Sequence, residues 1–131
     1  MLDLARERVR RAGVNNICDF ILADFSKHDL GERFDYSVAM GVFDYLPKPG
    51  PFLQKMRSVT TRKVIAGFPG HSPLREPVRK LRYKLAGKGS VFFYDEKDVR
   101  QFAADAGFAD YKLVHIFTSG HGFILVGDCS R

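Results

Sequence analysis

The chain has 131 residues, of which 45% are hydrophobic and 27% are charged, with 12 Phe, 5 Tyr and no Trp. This composition is typical of one soluble globular domain and excludes a disordered tail, a collagen-like fibre and two independent domains. The formal net charge of +6 comes mainly from residues 71–90, where six Lys and Arg side chains accompany one Glu. Binding of nucleic acid over a broad basic face is therefore not expected.

The cysteines give no sign of a disulfide scaffold or a metal site. Cys18 and Cys129 are too few and too far apart in sequence for either, and no His, Cys and Asp cluster has metal-ligand spacing. We interpret both as reduced thiols and expect a cytoplasmic protein. All apolar runs are far shorter than the roughly 20 residues of a bilayer-spanning helix, so no membrane span or export signal is expected.

The first predicted elements are a helix and two strands. Apolar residues alternate with charges from Leu2 to Val9, which indicates an amphipathic helix that ends at residues 13–16. The β-formers at 17–23 predict a strand, and the apolar run in its second half favours burial on both faces. Residues 34–40 predict a second buried strand, and Gly41 lets the chain turn at its end.

The rest of the chain predicts three helices, a strand and a hairpin. A helix is predicted at 51–59 and a third strand at 63–68. Residues 71–90, the basic segment, predict a helix with one apolar stripe, formed by Leu74, Val78, Leu81 and Leu85. Asp95 and Asp98 predict the capped start of a further helix, which ends at Gly107. Segments 111–118 and 123–126 flank Ser119-Gly120-His121-Gly122 and predict a closing β-hairpin.

This alternation of buried strands and helices predicts an α/β fold with a mostly parallel sheet and a C-terminal antiparallel hairpin. In such sheets, ligands bind beyond the carboxyl ends of the strands. A cofactor would therefore lie beside these residues: Asp24, Phe25, Met40, Gly41 and Phe43.

Four segments, in this order and spacing, resemble the class I S-adenosylmethionine-dependent methyltransferases. Residues 1–6 (Met-Leu-Asp-Leu-Ala-Arg) are similar to the helix after the family's second strand, and residues 20–25 to its third strand with the terminal acidic residue. Residues 34–46 resemble the fourth strand and the loop that follows it, and residues 93–108 resemble the helix before the closing hairpin. The resemblance covers residues 1–128 and implies a Rossmann-like three-layer sandwich.

The resemblance implies S-adenosylmethionine as the cofactor. It implies that the Asp24 carboxylate accepts a hydrogen bond from the adenine amine, with Ala23 and Phe25 beside the ring. It also implies that Gly41 lets the backbone approach the methionine part, while Met40 and Phe43 form apolar walls around the sulfonium. On local grounds alone, an Asp after a strand is also a favoured turn residue.

The family's glycine-rich loop and the acidic residue that ends its second strand would precede Met1. In the family's sheet the first two strands lie between the third and the fourth, so without them the fourth strand has an open edge. Three explanations stay open: an internal Met of a longer protein, an N-terminally truncated remnant, or direct pairing of the third strand with the fourth. The open edge would also allow a homodimer.

Candidate catalytic residues follow two strand ends. Asp44 and Tyr45 lie where small-molecule members of the family often carry an acid and a histidine, so either is a candidate to orient or deprotonate a substrate hydroxyl. The alternative is that Asp44 caps a helix and Tyr45 packs. His71 and His121 are further candidate bases, although a single loop histidine is usually solvated.

The basic segment occupies the position of a substrate-covering insertion in many family members. One interpretation is a basic lid that recruits an anionic substrate or contacts an anionic membrane. The other is a surface helix whose apolar stripe docks on the sheet. The function implied is methyl transfer from S-adenosylmethionine to a small molecule, in which positioning and desolvation supply most of the rate. The alternative is a non-catalytic, methyltransferase-like remnant that acts as a binding module.

Overall fold

The computed structural model describes residues 1–117 and 121–130. Its helices are α1 (Leu2–Arg11), α2 (Pro49–Ser58), α3 (Glu76–Leu85) and α4 (Glu96–Asp105). Its strands are β1 (Phe34–Ala39), β2 (Thr60–Pro69), β3 (Tyr111–Ile116) and β4 (Gly122–Asp128). A short 3-10 turn occupies Asn15–Ile17. Part of the predicted hairpin turn, residues 118–120, lies outside the described residues.

The four strands form one mixed sheet in the spatial order β1-β2-β4-β3. β2 is parallel to β1, with Val38 beside Ile65, and antiparallel to β4, with Ala66 opposite Leu125. β3 and β4 pair as an antiparallel hairpin. The predicted α/β class and the closing hairpin are confirmed, with one parallel and two antiparallel strand pairs among the described strands.

One face of this sheet is buried beneath α2 and α4, which contact each other and contact β2 and β4. The buried side chains recur at helical spacing, with Leu53 and Met56 from α2 and Val99 and Ala103 from α4. The predicted helix start at Asp95 is confirmed, because its side chain and that of Asp98 form a reciprocal capping box. None of the described helices is long and apolar enough to cross a membrane.

The opposite face of the sheet is open. Alternation along each strand places Val38 and Val114 there, because their neighbours Ala39 and Leu113 belong to the core. Val38 is 64% exposed and Val114 is 50% exposed. Neither α1 nor α3 contributes a buried residue. The described residues thus form the sheet and one helical layer of the predicted sandwich.

The predicted strand at 17–23 is wrong. Residues 15–17 form the 3-10 turn, residues 18–23 belong to no described strand, and Ile21 and Leu22 are exposed. This segment has a high β-propensity but no neighbouring strand among the described residues. A strand depends on such a neighbour for its hydrogen bonds and for burial, so the segment does not form one. The suggested direct pairing of this segment with residues 34–39 is therefore also wrong for the described residues.

The predicted burial of the second strand on both faces is wrong as well, although its position is confirmed as β1. Phe34, Tyr36 and Val38 are 38%, 54% and 64% exposed. Among the described strands β1 has one neighbour, β2, so its other edge is open, as the resemblance implied.

The apolar stripe of α3 does not dock on the sheet, so that alternative is wrong. Leu74, Val78, Leu81 and Leu85 are all exposed, and the helix buries none of its residues. The helix is instead held through its polar side chains, which form hydrogen bonds with Asp44, Tyr45 and His71.

Candidate cofactor and substrate site

A cavity of about 420 Å³ opens where β1 and β2 end. Its lining includes Met40 and Gly41 after β1, residues 67–70 at the end of β2, and Arg75 and Arg79 of the basic segment. This is the carboxyl edge of the parallel pair, where open α/β sheets bind their ligands. The volume lies within the range of small-molecule sites, roughly 300–1,000 Å³.

Gly41 gives this cavity an open backbone wall. Its φ is +69°, a conformation that favours glycine, and a Cβ built on it would meet nothing within 4 Å. Met40 beside it is 54% exposed, and its Sδ and Cε would lie 2.9 Å from a Cβ on Gly67. The thioether of Met40 therefore rests on the bare backbone of Gly67, at the floor of the cavity.

Phe43 supports this wall from within the core. Its ring is fully buried, stacks on Phe68 at 4.3 Å between centroids and meets Phe52 edge-on at 5.6 Å. The Phe43 ring thus fixes the loop that carries Met40 and Gly41, and it has no exposed face in this structure.

Asp44 joins the loop after β1 to α3. Its Oδ2 accepts a hydrogen bond of 2.7 Å from Nη2 of Arg79, and only 14% of the Asp44 side chain is exposed. The pKa of Arg79 is raised, first by this hydrogen bond. Asp44 does not cap a helix, because α2 has Lys48 as its N-cap residue. The alternative interpretation of Asp44 is therefore wrong, and the carboxylate lines the cavity.

Tyr45 forms the next contact with α3. Its hydroxyl lies 2.6 Å from that of Tyr83, and the two rings are tilted at 5.8 Å. The hydrogen bond raises the pKa of Tyr45 and lowers that of Tyr83. Tyr45 lies outside the lining of the cavity, so its contact is with the helix.

His71 is held at the start of the basic segment by Glu76. The His71 Nδ1 lies 2.8 Å from Oε2 of Glu76, whose Oε1 accepts from Lys80 at 2.5 Å. These two hydrogen bonds, Lys80 first, lower the pKa of Glu76. The cations of Arg79 and Lys80 also lie 5.7 and 5.6 Å from the centroid of the Phe93 ring, within cation–π range.

His71 lines a second cavity of about 250 Å³, which shares His121, Phe123 and neighbouring residues with the first. The two cavities meet where the backbone of Gly70 contacts that of His121. The Gly70 N–H donates to the His121 carbonyl at 2.8 Å, and a Cβ on Gly70 would lie 2.9 Å from that carbonyl group. A side chain at position 70 would therefore separate the end of β2 from the hairpin.

Asp24 and Phe25 lie beside α2. The Asp24 Oδ1 accepts from the Ser26 N–H at 2.9 Å, as its interpretation as a turn residue predicts, and the carboxylate is still 57% exposed. The Phe25 ring packs on Phe52 at 4.8 Å. Phe25 lines a groove of about 380 Å³ along β1, and Met40 lines this groove as well as the cavity. Ala23, just before them, is exposed.

The structure thus brings Met40, Gly41 and Asp44 together and places His71 in the adjoining cavity. The sequence interpretation missed the contacts that α3 makes with these residues. Glu76, Arg79, Lys80 and Tyr83 recur at helical spacing opposite the apolar stripe. That second, polar stripe is the signal in the sequence that marks the docked face.

No family model and no curated protein matches the chain. Solved structures do match, among them an O-methyltransferase family protein from Burkholderia thailandensis, with a TM-score of 0.78 and 13% identity over 98% of this chain. An O-methyltransferase family 2 protein from Planctomyces limnophilus, in complex with apigenin, has a TM-score of 0.74 and 20% identity over 97% of this chain. Magnesium protoporphyrin IX methyltransferase from Synechocystis, with bound SAH, has a TM-score of 0.62 and 17% identity over 90% of this chain.

This chain spans only 41%, 39% and 57% of the lengths of those three proteins, respectively. At these identities the likeness shows the fold. The chain therefore has the fold of the C-terminal part of the class I S-adenosylmethionine-dependent methyltransferases.

Proposed function

We propose that this protein transfers a methyl group from S-adenosylmethionine to a small-molecule acceptor, as part of a longer parent chain. The observation that carries the proposal is the turn at Met40 and Gly41, which opens onto the cavity at the carboxyl ends of β1 and β2. The structural likeness to methyltransferases supports it, and one of those relatives is solved with bound SAH.

Residues of this chain fit two ends of the cofactor. The positive φ of Gly41 and the empty space beside its Cα allow close backbone approach by the methionine part. The exposed thioether of Met40 offers a soft, polarisable wall to the sulfonium. We assign the adenine to the segment Ala23, Asp24 and Phe25, because Asp24 keeps an exposed carboxylate and Phe25 lines the groove that continues to Met40. Phe43 contributes by packing behind this wall.

When bound, S-adenosylmethionine supplies an electrophilic methyl group, and the chain's residues position the acceptor and take its proton. Asp44 holds Arg79 with Oδ2, so we assign its Oδ1 to the hydrogen bond with an acceptor hydroxyl. With Nδ1–H of His71 donated to Glu76, its Nε2 is the atom that takes a proton. Tyr45 holds Tyr83 and the helix, because its hydroxyl lies 2.6 Å from that of Tyr83 and the residue lies outside the lining of the cavity.

We infer that the acceptor is anionic. Arg75 and Arg79 line the cavity, and Asp44 is the one carboxylate in its described lining. A basic wall beside a partly enclosed site attracts anions and raises their local concentration. The Planctomyces relative is solved with apigenin, which supports a small-molecule acceptor class.

A second candidate function is a non-catalytic binding module. The open edge of β1 and the exposed Val38 and Val114 on the open sheet face favour it, because unpaired strand edges accept a further strand. Cofactor binding separates the two functions.

The test is a calorimetric titration of the folded protein with S-adenosylmethionine and with S-adenosylhomocysteine. We expect micromolar binding of both. Met40→Lys places a cation beside the sulfonium, so it should weaken S-adenosylmethionine binding at least tenfold more than S-adenosylhomocysteine binding, whose sulfur is neutral. Val114→Lys adds the same charge on the open sheet face and should change neither affinity.

If the folded protein binds neither compound and the reading frame upstream of Met1 encodes no glycine-rich cofactor loop, the methyltransferase proposal is wrong and the binding module is favoured. Reading the coding DNA in frame upstream of Met1 tests the parent chain independently. An acidic residue followed by Gly-x-Gly-x-Gly would supply the expected cofactor loop.

A further inference from the structure

Helix α3 is docked through its polar face. Arg79 binds Asp44, Tyr83 binds Tyr45, and Glu76 binds His71. At 100° per residue, positions 76, 79, 80 and 83 fall on one side of the helix. This polar latch, formed by Glu76, Arg79, Lys80 and Tyr83, therefore fixes which side of α3 faces the rest of the protein.

The apolar stripe lies on the opposite side. Leu74, Val78, Leu81 and Leu85 are 85%, 64%, 59% and 79% exposed. Amphipathic surface helices normally turn this stripe toward the core. In this helix the arrangement is reversed, so Val78, Leu81 and Leu85 project into solvent, and Leu74 in the turn before α3 is exposed as well. Apolar patches of this kind usually mark an interaction site.

Cations flank the stripe on both sides. Arg82 and Lys84 lie on its two borders and Lys88 lies beyond its end, all exposed and without an ion pair among residues 1–117 and 121–130. Between Glu76 and Asp95 the sequence contains no acidic residue. The exposed face therefore combines an apolar strip with an uncompensated positive charge.

We propose that this face of α3 docks on an anionic lipid surface. The strip needs an apolar medium and its borders need anions, which the acyl and headgroup layers of an acidic bilayer provide together. With 10 residues α3 is about 15 Å long, about half of the ~30 Å hydrocarbon core, so it lies in the interface.

Two other occupants, nucleic acid and a second copy of this chain, fit this face less well. Nucleic acid would neutralise the cations but leave the aliphatic strip in water. A second copy of α3 would cover the strip but bring Arg82 and Lys84 against like charges. Because Arg75 and Arg79 line the cavity from the same segment, docking holds the cavity close to the lipid headgroups. This inference does not depend on the proposed methyl transfer.

The protein contains no Trp, which allows a site-specific optical test. We place Trp in the stripe as Leu85→Trp and, as a matched control, on the open sheet face as Val114→Trp. With vesicles of phosphatidylcholine and phosphatidylserine in a 7:3 ratio, the emission of Leu85→Trp should shift to the blue and that of Val114→Trp should not. Vesicles of phosphatidylcholine alone should shift neither.

Flotation with the same vesicles tests the apolar strip and the flanking cations separately. Leu81→Gln with Leu85→Gln removes the strip and should lower vesicle binding at least tenfold, as should Arg82→Gln with Lys84→Gln. Leu22→Gln changes a side chain that is 87% exposed elsewhere and should have no effect. Because α3 buries no residue, these variants should keep the wild-type circular dichroism spectrum and melting temperature.

Three outcomes would overturn the proposal. The first is an unshifted Leu85→Trp spectrum with anionic vesicles. The second is full binding by the Leu81→Gln, Leu85→Gln variant, which would leave only nonspecific charge attraction. The third is a dimer that dissociates when the strip is removed and that binds no vesicles, which would assign the face to a second copy.

Discussion

At the scale of single residues, two glycines determine how closely parts of this molecule approach one another. Gly67 accommodates the side chain of Met40, and Gly127 accommodates the ring of Phe108. Phe108 is 4% exposed and belongs to the core, whereas Met40 is exposed at the cavity. The same residue type therefore serves core packing at one position and the lining of the cavity at the other.

Gly127→Ala should destabilise the protein. A Cβ at this position would lie 2.5 Å from two ring carbons of Phe108, which is closer than real Cβ atoms approach. Overpacking of a core costs about 1–3 kcal/mol, and urea unfolding measures it. Gly50→Ala is the control, because a Cβ there meets nothing within 4 Å, and it should change the free energy of unfolding less than Gly127→Ala does. Equal effects of the two substitutions would contradict this account.

Glu76 makes the polar latch depend on pH. Hydrogen bonds from Lys80 and His71 lower its pKa in the folded state, so its stabilisation is present above the unfolded-state pKa and is lost as pH falls through the lower folded pKa. We expect Glu76→Gln to loosen α3 at pH 7 and to loosen it less at pH 3, where more of the wild-type Glu76 is protonated. Hydrogen exchange of the α3 amides, corrected for the intrinsic exchange rate at each pH, reports this loosening. If Glu76→Gln loosens α3 by the same amount at both pH values, the ionised carboxylate of Glu76 is not what holds the helix.

At the scale of elements, the sequence predicted correctly the helix whose start and end are set by its own residues. The capping box of Asp95 and Asp98 and the positive φ of Gly107 delimit α4, as predicted. The segment 17–23 has strong β-formers, but a strand also needs a partner, which sequence pattern alone does not supply. For α3 the apolar stripe predicted the helix but not its orientation, because the ion pair with Asp44 and the hydrogen bond with His71 decide which face docks.

Asp95→Ala should weaken the start of α4. The Asp95 side chain accepts from the Asp98 N–H at 2.8 Å, and loss of an N-cap costs about 1 kcal/mol. Thermal unfolding measures the effect. Asp95→Asn keeps a capping oxygen and should recover most of the stability. If Asn is as destabilising as Ala, the carboxylate charge rather than the cap is what matters.

At the scale of the whole molecule, the sheet has one face covered by helices, one open face and two edge strands, β1 and β3. The outer edges of β1 and β3 both lack a described neighbour, and β1 differs in that it runs parallel to the strand beside it. The class of the fold and the open edge followed from the resemblance of four sequence segments to a known family. The site could be only partly predicted, because Arg79 and Tyr83 reach it from an element whose orientation is set by tertiary contacts.

We expect the protein to self-associate along the open edge of β1. Val38→Lys should oppose this, because a charged side chain at 64% exposure beside an edge disfavours pairing with a second copy. Light scattering after size-exclusion chromatography, over a range of protein concentrations, gives the mass. Leu22→Lys is the charge-matched control outside the sheet. A wild type that is monomeric at every concentration would show that the edge does not pair with itself.

β2 is bonded to β1 on one side and to β4 on the other, so its amides are shielded from both directions. Its inward side chains Val64, Ala66 and Phe68 are buried under the helices. Deuterium should therefore replace the amide protons of this strand only when the sheet separates as a whole, whereas residues 18–33, which belong to no described strand or helix, should exchange early. The exchange rate of the β2 amides thus reports the opening of the whole sheet. Any segment that exchanges faster than β2 must open by a local motion.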